Sequence, residues 1–394
     1  MSIQSSKEFF GELKEWSERK LTILEKYLDP FVKILGSNRV IKHVYYVDAF
    51  AGAGLYRNGE KGSSLRAAEL AQNYKETAKP YQLKCINVEA DRDNFENLQA
   101  NTLDYKDSTL NFYGTFAENT DQILNEIMDS PALFFLDPFG VKGMQWDLIH
   151  RILNRRHATD LWIRFDHVGV QRLNGRYGQE DSGAMKSFDH LCDVYGIYDK
   201  EHLHALLVGN SAEERQQNAI NLYTSRLGVE LKRIRGKSFV FPYPIRSIDG
   251  TGKYHLIFAT GHLRGAIVAS ELVCGAEESY QKELEEYKIN QTGQLSLFSH
   301  FDPSEEEIFK NKVTLLAQTM WDKCKGTSLS RDQIYERILP QWFGKVRSTH
   351  VTNALRLLRK DGRIKHATGN PSDRKAICNG LVFLDTKSVF LSSF

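Results

Sequence analysis

An acid and two glycines near the start of the chain carry its first chemical signal. The run Val44–Asp48 is aromatic and β-branched up to its final acid, and Gly52 and Gly54 follow closely. Glycine lets the backbone adopt positive φ and lets a ligand approach closely. This order predicts a buried strand that ends at Asp48, and then a loop through Phe50 that holds the amino-acid end of a nucleoside-bearing cofactor. A turn with only a structural role is the alternative.

A second acid ends the next predicted strand, Leu83–Glu89. A carboxylate at the end of such a strand can accept hydrogen bonds from both hydroxyls of a ribose. We therefore predict that Glu89 binds the ribose of the cofactor. Asp91 is the competing candidate, and a solvated acid without a ligand is the structural alternative.

The third motif is Asp137-Pro138-Phe139-Gly140, which directly follows the apolar run Ala132–Leu136. It resembles the Asp-Pro-Pro-Tyr/Phe motif of amino methyltransferases, with one proline missing. The resemblance implies that the Asp137 carboxylate and the next carbonyl orient a target amine toward a sulfonium methyl group, while Phe139 stacks on a base turned out of its helix. We predict Asp137, Pro138 and Phe139 as catalytic residues. The alternative is a turn in which Asp137 acts as a cap.

Strands and helices alternate around these motifs. Strands are predicted at 43–48, 83–89, 110–113, 132–137 and 161–165, with helices between them and a final hairpin at 238–247 and 254–260. This alternation predicts a doubly wound, Rossmann-like α/β sheet. Residues 167–230 are polar and helical in pattern, which predicts an insertion over the carboxyl edge of the sheet. We assign residues 1–289 to this domain.

The C-terminal segment has a different composition. After a polar linker at 290–302, residues 303–394 carry 16 Lys and Arg against nine Asp and Glu, whereas the rest of the chain carries 36 against 41. Helices predicted at 304–323, 331–338 and 348–360, followed by two strands, indicate a winged helix-turn-helix.

The third of these helices and the loop between the two strands form a basic stretch. A basic winged helix can lie in a major groove of DNA, which makes nucleic acid the expected partner. A winged helix that binds another protein is the alternative. The predicted nucleic-acid contacts are Lys345, Arg347, His350, Asn353, Arg356, Arg359, Lys360, Arg374 and Lys375.

A short peptide in the linker suggests a protein partner. Gln294–Phe298 reads Gln-Leu-Ser-Leu-Phe and resembles the pentapeptide that binds the bacterial sliding clamp. The resemblance implies clamp binding. A linker segment that packs its Leu and Phe side chains on the body is the alternative.

The overall composition is that of an ordinary soluble protein, with 41% hydrophobic and 26% charged residues. The five cysteines are scattered without a Cys-x-x-Cys pair, so we predict no disulfide framework and no metal site, and favour a reducing compartment. The N-terminus lacks a signal-peptide core and no apolar run is long enough to cross a bilayer, so we expect a cytoplasmic protein without a membrane partner.

Four motifs together resemble the three-Cys-motif partner protein family (TcmP), a bacterial group of methyltransferase-like proteins. They are the helix with Trp16, Lys20 and Tyr27, the segment 46–54 with Gly62-Ser63-Ser64, the Leu136–Gly140 segment, and Tyr254–Ala259. The resemblance covers about residues 8–275. It implies a class I methyltransferase domain, S-adenosylmethionine as cofactor, and a three-Cys-motif enzyme as partner.

The layout is also similar to that of ribosomal-RNA adenine-N6 methyltransferases. In that arrangement an N-terminal helix closes over the methionine end of the cofactor, which implies that Lys20 and Ser63 line the site. The cofactor adenine is expected near Ala90 and Phe116.

These expectations favour an S-adenosylmethionine-dependent methyltransferase that acts on an exocyclic amine of a base in DNA or RNA. The first alternative is a methyltransferase-like module with little or no activity that recruits the three-Cys-motif enzyme to nucleic acid. The second is methylation of a small molecule or a protein.

Overall fold

The computed structural model describes residues 13–77, 79–179, 181–292, 304–366 and 380–384. The chain forms two compact units, one ending at Gly265 and the next beginning at Ala266. The clamp-like peptide Gln294–Phe298 lies outside the described residues, as do Arg374 and Lys375. No helix in the described ranges is long and apolar enough to cross a membrane.

One seven-stranded sheet forms the centre of the first unit, with the order β3-β2-β1-β4-β5-β7-β6. The first five strands pair in parallel, and β7 runs antiparallel to both of its neighbours. The strands are β1 His43–Asp48, β2 Gln82–Glu89, β3 Thr109–Tyr113, β4 Ala132–Leu136, β5 Thr159–Phe165, β6 Phe239–Arg246 and β7 Gly252–Thr260. The predicted Rossmann-like sheet and its closing antiparallel hairpin are confirmed.

The strand order reverses between β1 and β4, because β2 lies on one side of β1 and β4 on the other. In open α/β sheets a ligand crevice forms at this point, at the carboxyl ends of the strands. Asp48 and Asp137 stand at the carboxyl ends of these two strands. The topology therefore brings the first and third sequence motifs to one edge of the sheet.

A helix precedes β1, and further helices connect the parallel strands. They are α1 Glu15–Gly36, α2 Ser63–Glu76, α3 Arg92–Asn101, α4 Phe116–Ile127 and α5 Trp146–Leu153. Helix α1 buries an apolar stripe that includes Leu21, Leu24 and Leu28, which explains why the spacing of these residues predicts a helix. The side chain of Asp91 accepts a 3.0 Å hydrogen bond from Asn94 N and caps α3.

Four helices occupy the chain between β5 and β6. They are α6 His167–Asn174, α7 Ser182–Tyr195, α8 Lys200–Leu207 and α9 Ala212–Arg235. Their inner side chains, including Leu191, Tyr195 and Tyr223, belong to the same buried cluster as Phe134 of β4 and Ile163 of β5. The inserted helices therefore complete the core of the first unit.

The second unit contains helices and a small sheet. Its described elements are most of α10 Leu263–Thr292, then α11 Glu305–Cys324, β8 Ser328–Leu329, α12 Arg331–Trp342, α13 Ser348–Lys360, β9 Ile364–His366 and β10 Leu381–Phe383. The three strands pair antiparallel in the order β8-β10-β9. The strand β8 was not predicted from the sequence. Helix α12 continues through Pro340 to Trp342, beyond its predicted end at residue 338.

Candidate active site

The glycine turn after β1 has the predicted backbone conformation. Gly52 has φ 64° and Gly54 has φ 81°, both in the left-handed region that favours glycine. Gly62 N donates to Gly54 O at 2.8 Å, and a Cβ atom at Gly62 would lie 3.1 Å from the same oxygen. The loop is therefore closed on itself by backbone contacts, which leaves little room for any side chain at Gly62.

Glu89 ties this turn to the neighbouring strand. Its Oε2 accepts a 2.8 Å hydrogen bond from Gly52 N, and its Oε1 accepts a 2.7 Å bond from Asp91 N. Burial raises the pKa of Glu89, and these backbone bonds oppose the rise. A carboxylate offers about four lone-pair sites, so two backbone bonds leave acceptor capacity for a hydroxyl-bearing ligand.

A cleft opens at the carboxyl edge of the sheet. Six of the predicted site residues line it: Phe50, Gly54, Ser63, Glu89, Asp137 and Phe139. The competing candidate for the ribose, Asp91, also lines the cleft, so the structure leaves both acids available. The topology thus gathers residues from three separate sequence motifs around one cavity.

Asp48 lies beneath the loop and does not line the cleft. Its carboxylate is fully buried and accepts from the Tyr46 hydroxyl at 3.1 Å and from Phe50 N at 3.3 Å. Burial raises the pKa of Asp48 to about 6, against the opposing effect of a hydrogen bond with Ser63. Asp48 therefore supports the loop that carries Phe50.

Two residues predicted beside the cofactor adenine are placed elsewhere. Phe116 is 2% exposed and belongs to the buried core cluster with Val88 and Ile123, so it does not face the cleft. Ala90 is exposed and does not line the cleft. Asn94, on the first turn of α3, does line it together with Asp91. The cleft residues at the start of α3 are therefore polar rather than aromatic.

The Asp137 carboxylate is held by two cations. Lys20 Nζ of α1 forms an ion pair with Asp137 Oδ2, and Arg164 Nε of β5 lies 3.7 Å from Oδ1. Arg164 Nη1 also donates to the Pro138 carbonyl at 2.5 Å. Both acceptor groups of the predicted amine site therefore have partners within the protein. Lys20 is 2% exposed and does not line the cleft, contrary to prediction.

Phe139 is 60% exposed at the cleft. The next residue, Gly140, has φ 75°, a conformation that other residues rarely adopt. This left-handed turn explains why glycine follows the aromatic residue here. It directs the chain away from β4, and the aromatic ring stays accessible at the cleft.

Sequence analysis missed several residues of the site. Leu21, Tyr56 and Arg164 line the cleft, and the Arg164 guanidinium lies 4.7 Å from the centre of the Tyr254 ring. The signal for Arg164 was available, because it is the one charged residue in the run Leu161–Phe165, near the carboxyl end of a strand beside β4.

Most of the described residues that were predicted to contact nucleic acid are exposed in the second unit. Lys345, Arg356, Arg359 and Lys360 are exposed, and Asn353 is half-buried. Arg347 forms an ion pair with Glu278.

His350 does not face outward as predicted. It is 4% exposed, its Nδ1 accepts from Arg347 N at 3.0 Å, and its ring lies 4.5 Å from that of Phe309. His350 therefore closes the first turn of α13 and packs inside the second unit.

No protein-family model matches the chain, and no curated protein matches it. Among solved structures the chain is similar to an O-methyltransferase from Bacillus cereus in complex with SAH, with 14% identity and TM-score 0.34, over 60% of this chain and 80% of that one. It is also similar to the O-methyltransferase TomG from Streptomyces achromogenes, with 11% identity and TM-score 0.31, over 60% and 78% of the two chains.

Proposed function

We propose that the first unit binds S-adenosylmethionine and transfers its methyl group. One observation carries this proposal: the left-handed glycine turn, the Glu89 carboxylate and Asp137 line or border a single cleft at the switch point of the sheet. A tight glycine turn permits close approach of a ligand, and an acid on the next strand suits a ribose. The same cleft therefore has parts for a nucleoside and, at Asp137, for a reacting group.

In this proposal the cofactor ribose binds Glu89 and its methionine end lies over the glycine turn, near Ser63. The adenine would lie toward Asp91 and Asn94, which are polar residues of the cleft lining. This placement replaces the earlier expectation of Ala90 and Phe116. The side chains of Asp91 and Asn94 both offer hydrogen-bonding groups of the kind that an adenine edge can use.

We propose a base of DNA or RNA as the methyl acceptor, through an exocyclic amine. The amine would donate to Asp137 and the Pro138 carbonyl, and its base would stack on the exposed Phe139 ring. The amine nitrogen forms a bond to the methyl carbon as the bond from that carbon to sulfur breaks. The proton that the amine then loses passes to solvent, and S-adenosylhomocysteine leaves.

The second unit supports a nucleic-acid substrate. Its helices α11 to α13 followed by the β9–β10 pair have the order of a winged helix, which we propose as its fold. Arg356 and Lys360 are exposed on α13, where they can bind phosphates. We also retain as proposals a three-Cys-motif partner enzyme and a sliding clamp that binds Gln294–Phe298.

A second candidate function has its own support. Lys20 and Arg164 already bind the Asp137 carboxylate and the Pro138 carbonyl, the groups that would hold a target amine. If these contacts persist with substrate bound, the unit would bind its cofactor without methylating. The chain would then act as a module that brings a partner enzyme to nucleic acid.

Calorimetry and tritium transfer separate these functions. The full chain is titrated with S-adenosylmethionine and S-adenosylhomocysteine, and then incubated with labelled cofactor and total bacterial DNA or RNA. We expect binding of both, transfer to one nucleic acid, and loss of transfer in Asp137→Asn with cofactor affinity nearly unchanged. Asp121→Asn is the control, since the Asp121 side chain is 84% exposed.

Each other outcome has a definite meaning. Cofactor binding without transfer to either nucleic acid would favour the recruiting module. Transfer that survives Asp137→Asn would remove Asp137 from the catalytic residues. The absence of binding to both cofactor forms would overturn the proposed function.

A further inference from the structure

The contact between Lys20 and Asp137 joins two distant parts of the first unit. Lys20 lies on α1 and Asp137 follows β4, yet Lys20 Nζ and Asp137 Oδ2 form an ion pair. The Lys20 ammonium lies 5.5 Å from the centre of the Phe135 ring and 6.0 Å from that of Tyr254. It therefore lies among two aromatic rings and the Asp137 carboxylate, and the charges of Asp48 and Arg164 are also close enough to act on it.

Such a lysine is unusual because burying a charge costs several kcal/mol unless a partner compensates it. The side chain of Lys20 is only 3% exposed, against 14% for that of Asp137. Burial lowers the pKa of Lys20, and Asp137 opposes this effect. Asp137 lines the cleft and Lys20 does not, so Lys20 can act on a ligand there through Asp137.

Arg164 acts on the other side of the same carboxylate. Its Nε lies 3.7 Å from Asp137 Oδ1, and its Nη1 bonds to the Pro138 carbonyl. The two cations come from different elements, α1 and β5, and reach opposite oxygens. Rotation of the Asp137 side chain would break at least one of these contacts.

We propose that Lys20 is a positioning residue for methyl transfer, which fixes the Asp137 carboxylate in the one orientation that an acceptor amine can use. This inference rests on the proposed function of the cleft. Lys20 touches neither cofactor nor acceptor; it acts through Asp137. Lys20 contacts Oδ2, whereas the buried Oδ1 accepts no hydrogen bond from the described residues, so Asp137 keeps lone pairs for an amine.

Positioning and blocking predict opposite changes in the rate of methyl transfer when Lys20 is replaced. Lys20→Met keeps an unbranched side chain that is one heavy atom shorter, and it removes the charge. If Lys20 positions Asp137, we expect kcat for tritium transfer to fall about 100-fold, the order expected for a misplaced catalytic group. The KM and the calorimetric Kd for the cofactor should stay nearly unchanged. If Lys20 blocks the acceptor site, the same substitution should raise transfer, and the proposal is then wrong.

Two further variants complete the test. Lys33→Met is the matched control, because Lys33 lies on the same helix in an exposed ion pair with Asp29, and it should transfer at the wild-type rate. Lys20→Arg keeps the charge but places it differently, so we expect a rate between those of Lys20→Met and the wild type. If Lys20→Met does not fold, Lys20→Gln takes its place, and a wild-type rate in that uncharged variant overturns the proposal.

A measurement without activity separates this proposal from the proposed function. In a crystal structure of Lys20→Met with S-adenosylhomocysteine, the Asp137 side chain should leave the orientation that it has in the wild type. An unchanged Asp137 would overturn the positioning role. A displaced Asp137 supports positioning of the carboxylate even where the wild type transfers nothing, in which case the proposed function alone has failed.

Discussion

Glu89 Oε2 accepts a 2.8 Å hydrogen bond from the backbone N–H of Gly52. The two residues are neighbours because β1 and β2 pair in parallel, with Asp48 opposite Asn87. The other carboxylate oxygen accepts from Asp91 N, at the start of α3. A single side chain thus fixes the relative position of a glycine turn and a helix terminus, both of which border the cleft.

Glu89→Gln tests this arrangement. A glutamine offers one acceptor oxygen instead of two, so one of the two backbone N–H groups loses its partner. Hydrogen bonds to a charged group contribute about 1.5–3 kcal/mol, so we expect cofactor affinity to fall about 10- to 100-fold by calorimetry. Glu96→Gln on the exposed face of α3 is the control and should bind as the wild type does. Unchanged cofactor affinity in Glu89→Gln would show that Glu89 does not bind the cofactor.

Gly54→Ala should weaken cofactor binding more than it weakens the fold. Gly54 lines the cleft with φ 81°, and a Cβ atom there would meet Leu98 at an ordinary 3.4 Å. The left-handed conformation costs an alanine about 1–2 kcal/mol. Gly59→Ala has the same strain, because φ is 82° there, but its Cβ would meet nothing within 4 Å. We expect similar melting temperatures for the two variants. Cofactor affinity should fall in Gly54→Ala alone, because relief of the strain there would shift backbone that lines the cleft.

Asp48 should make the stability of the first unit fall as pH rises. Its folded-state pKa of about 6 exceeds the ordinary 3.8 because burial disfavours the charge, so the folded chain binds this proton more tightly than the unfolded chain. The favourable effect is fully present below about pH 4 and is lost as pH rises through about 6. At 1.36 kcal/mol per pKa unit the change is about 3 kcal/mol.

Urea unfolding of Asp48→Asn and the wild type at a series of pH values measures this effect. The difference in unfolding free energy between them should grow in favour of Asp48→Asn from pH 4 to pH 6.5. Asp249→Asn is the control, since hydrogen bonds from Ser247 and Thr251 lower the pKa of the exposed Asp249 to about 2, outside this range. A constant difference for Asp48→Asn would contradict the burial argument.

Arg356→Ala and Lys360→Ala should each weaken nucleic-acid binding in a salt-dependent way. Both residues are exposed on α13, and each phosphate contact that is lost should lower the slope of log K against log salt by about 1. Fluorescence anisotropy with a mixed-sequence DNA duplex and a single-stranded RNA measures this. Lys310→Ala on α11 is the control, because Lys310 is exposed in an ion pair with Glu306. An unchanged salt slope in both variants would show that Arg356 and Lys360 do not contact nucleic acid.

Much of the cleft could be predicted because strand ends are visible in the sequence and parallel strands share an edge. Asp48, Glu89 and Asp137 each end an apolar or mixed run, and the sheet brings their loops together. The partner of Lys20 could not be predicted, since it lies 117 positions away and depends on how α1 packs across the sheet.

The burial of Phe116 and His350, which were predicted as contact residues, could have been inferred from their helical spacing. Phe116 recurs with Ile123 and Ile127 at the helical period, so its phase on α4 directs it into the core. His350 shares a face with Ala354 and Leu358 in the same way, and all three are buried. In both cases residue type suggested a functional role, whereas periodicity already indicated burial.

The shared core of the sheet and the inserted helices limits how this protein can be altered. Since Leu191, Tyr195 and Tyr223 pack in one buried cluster with strand residues, excision of α6 to α9 would expose apolar strand residues to water and destabilise the first unit. Attempts to retarget the protein by exchanging this segment for that of another protein should fail at expression. Substitutions on the outward faces of these helices are therefore the changes in this segment that the fold tolerates best.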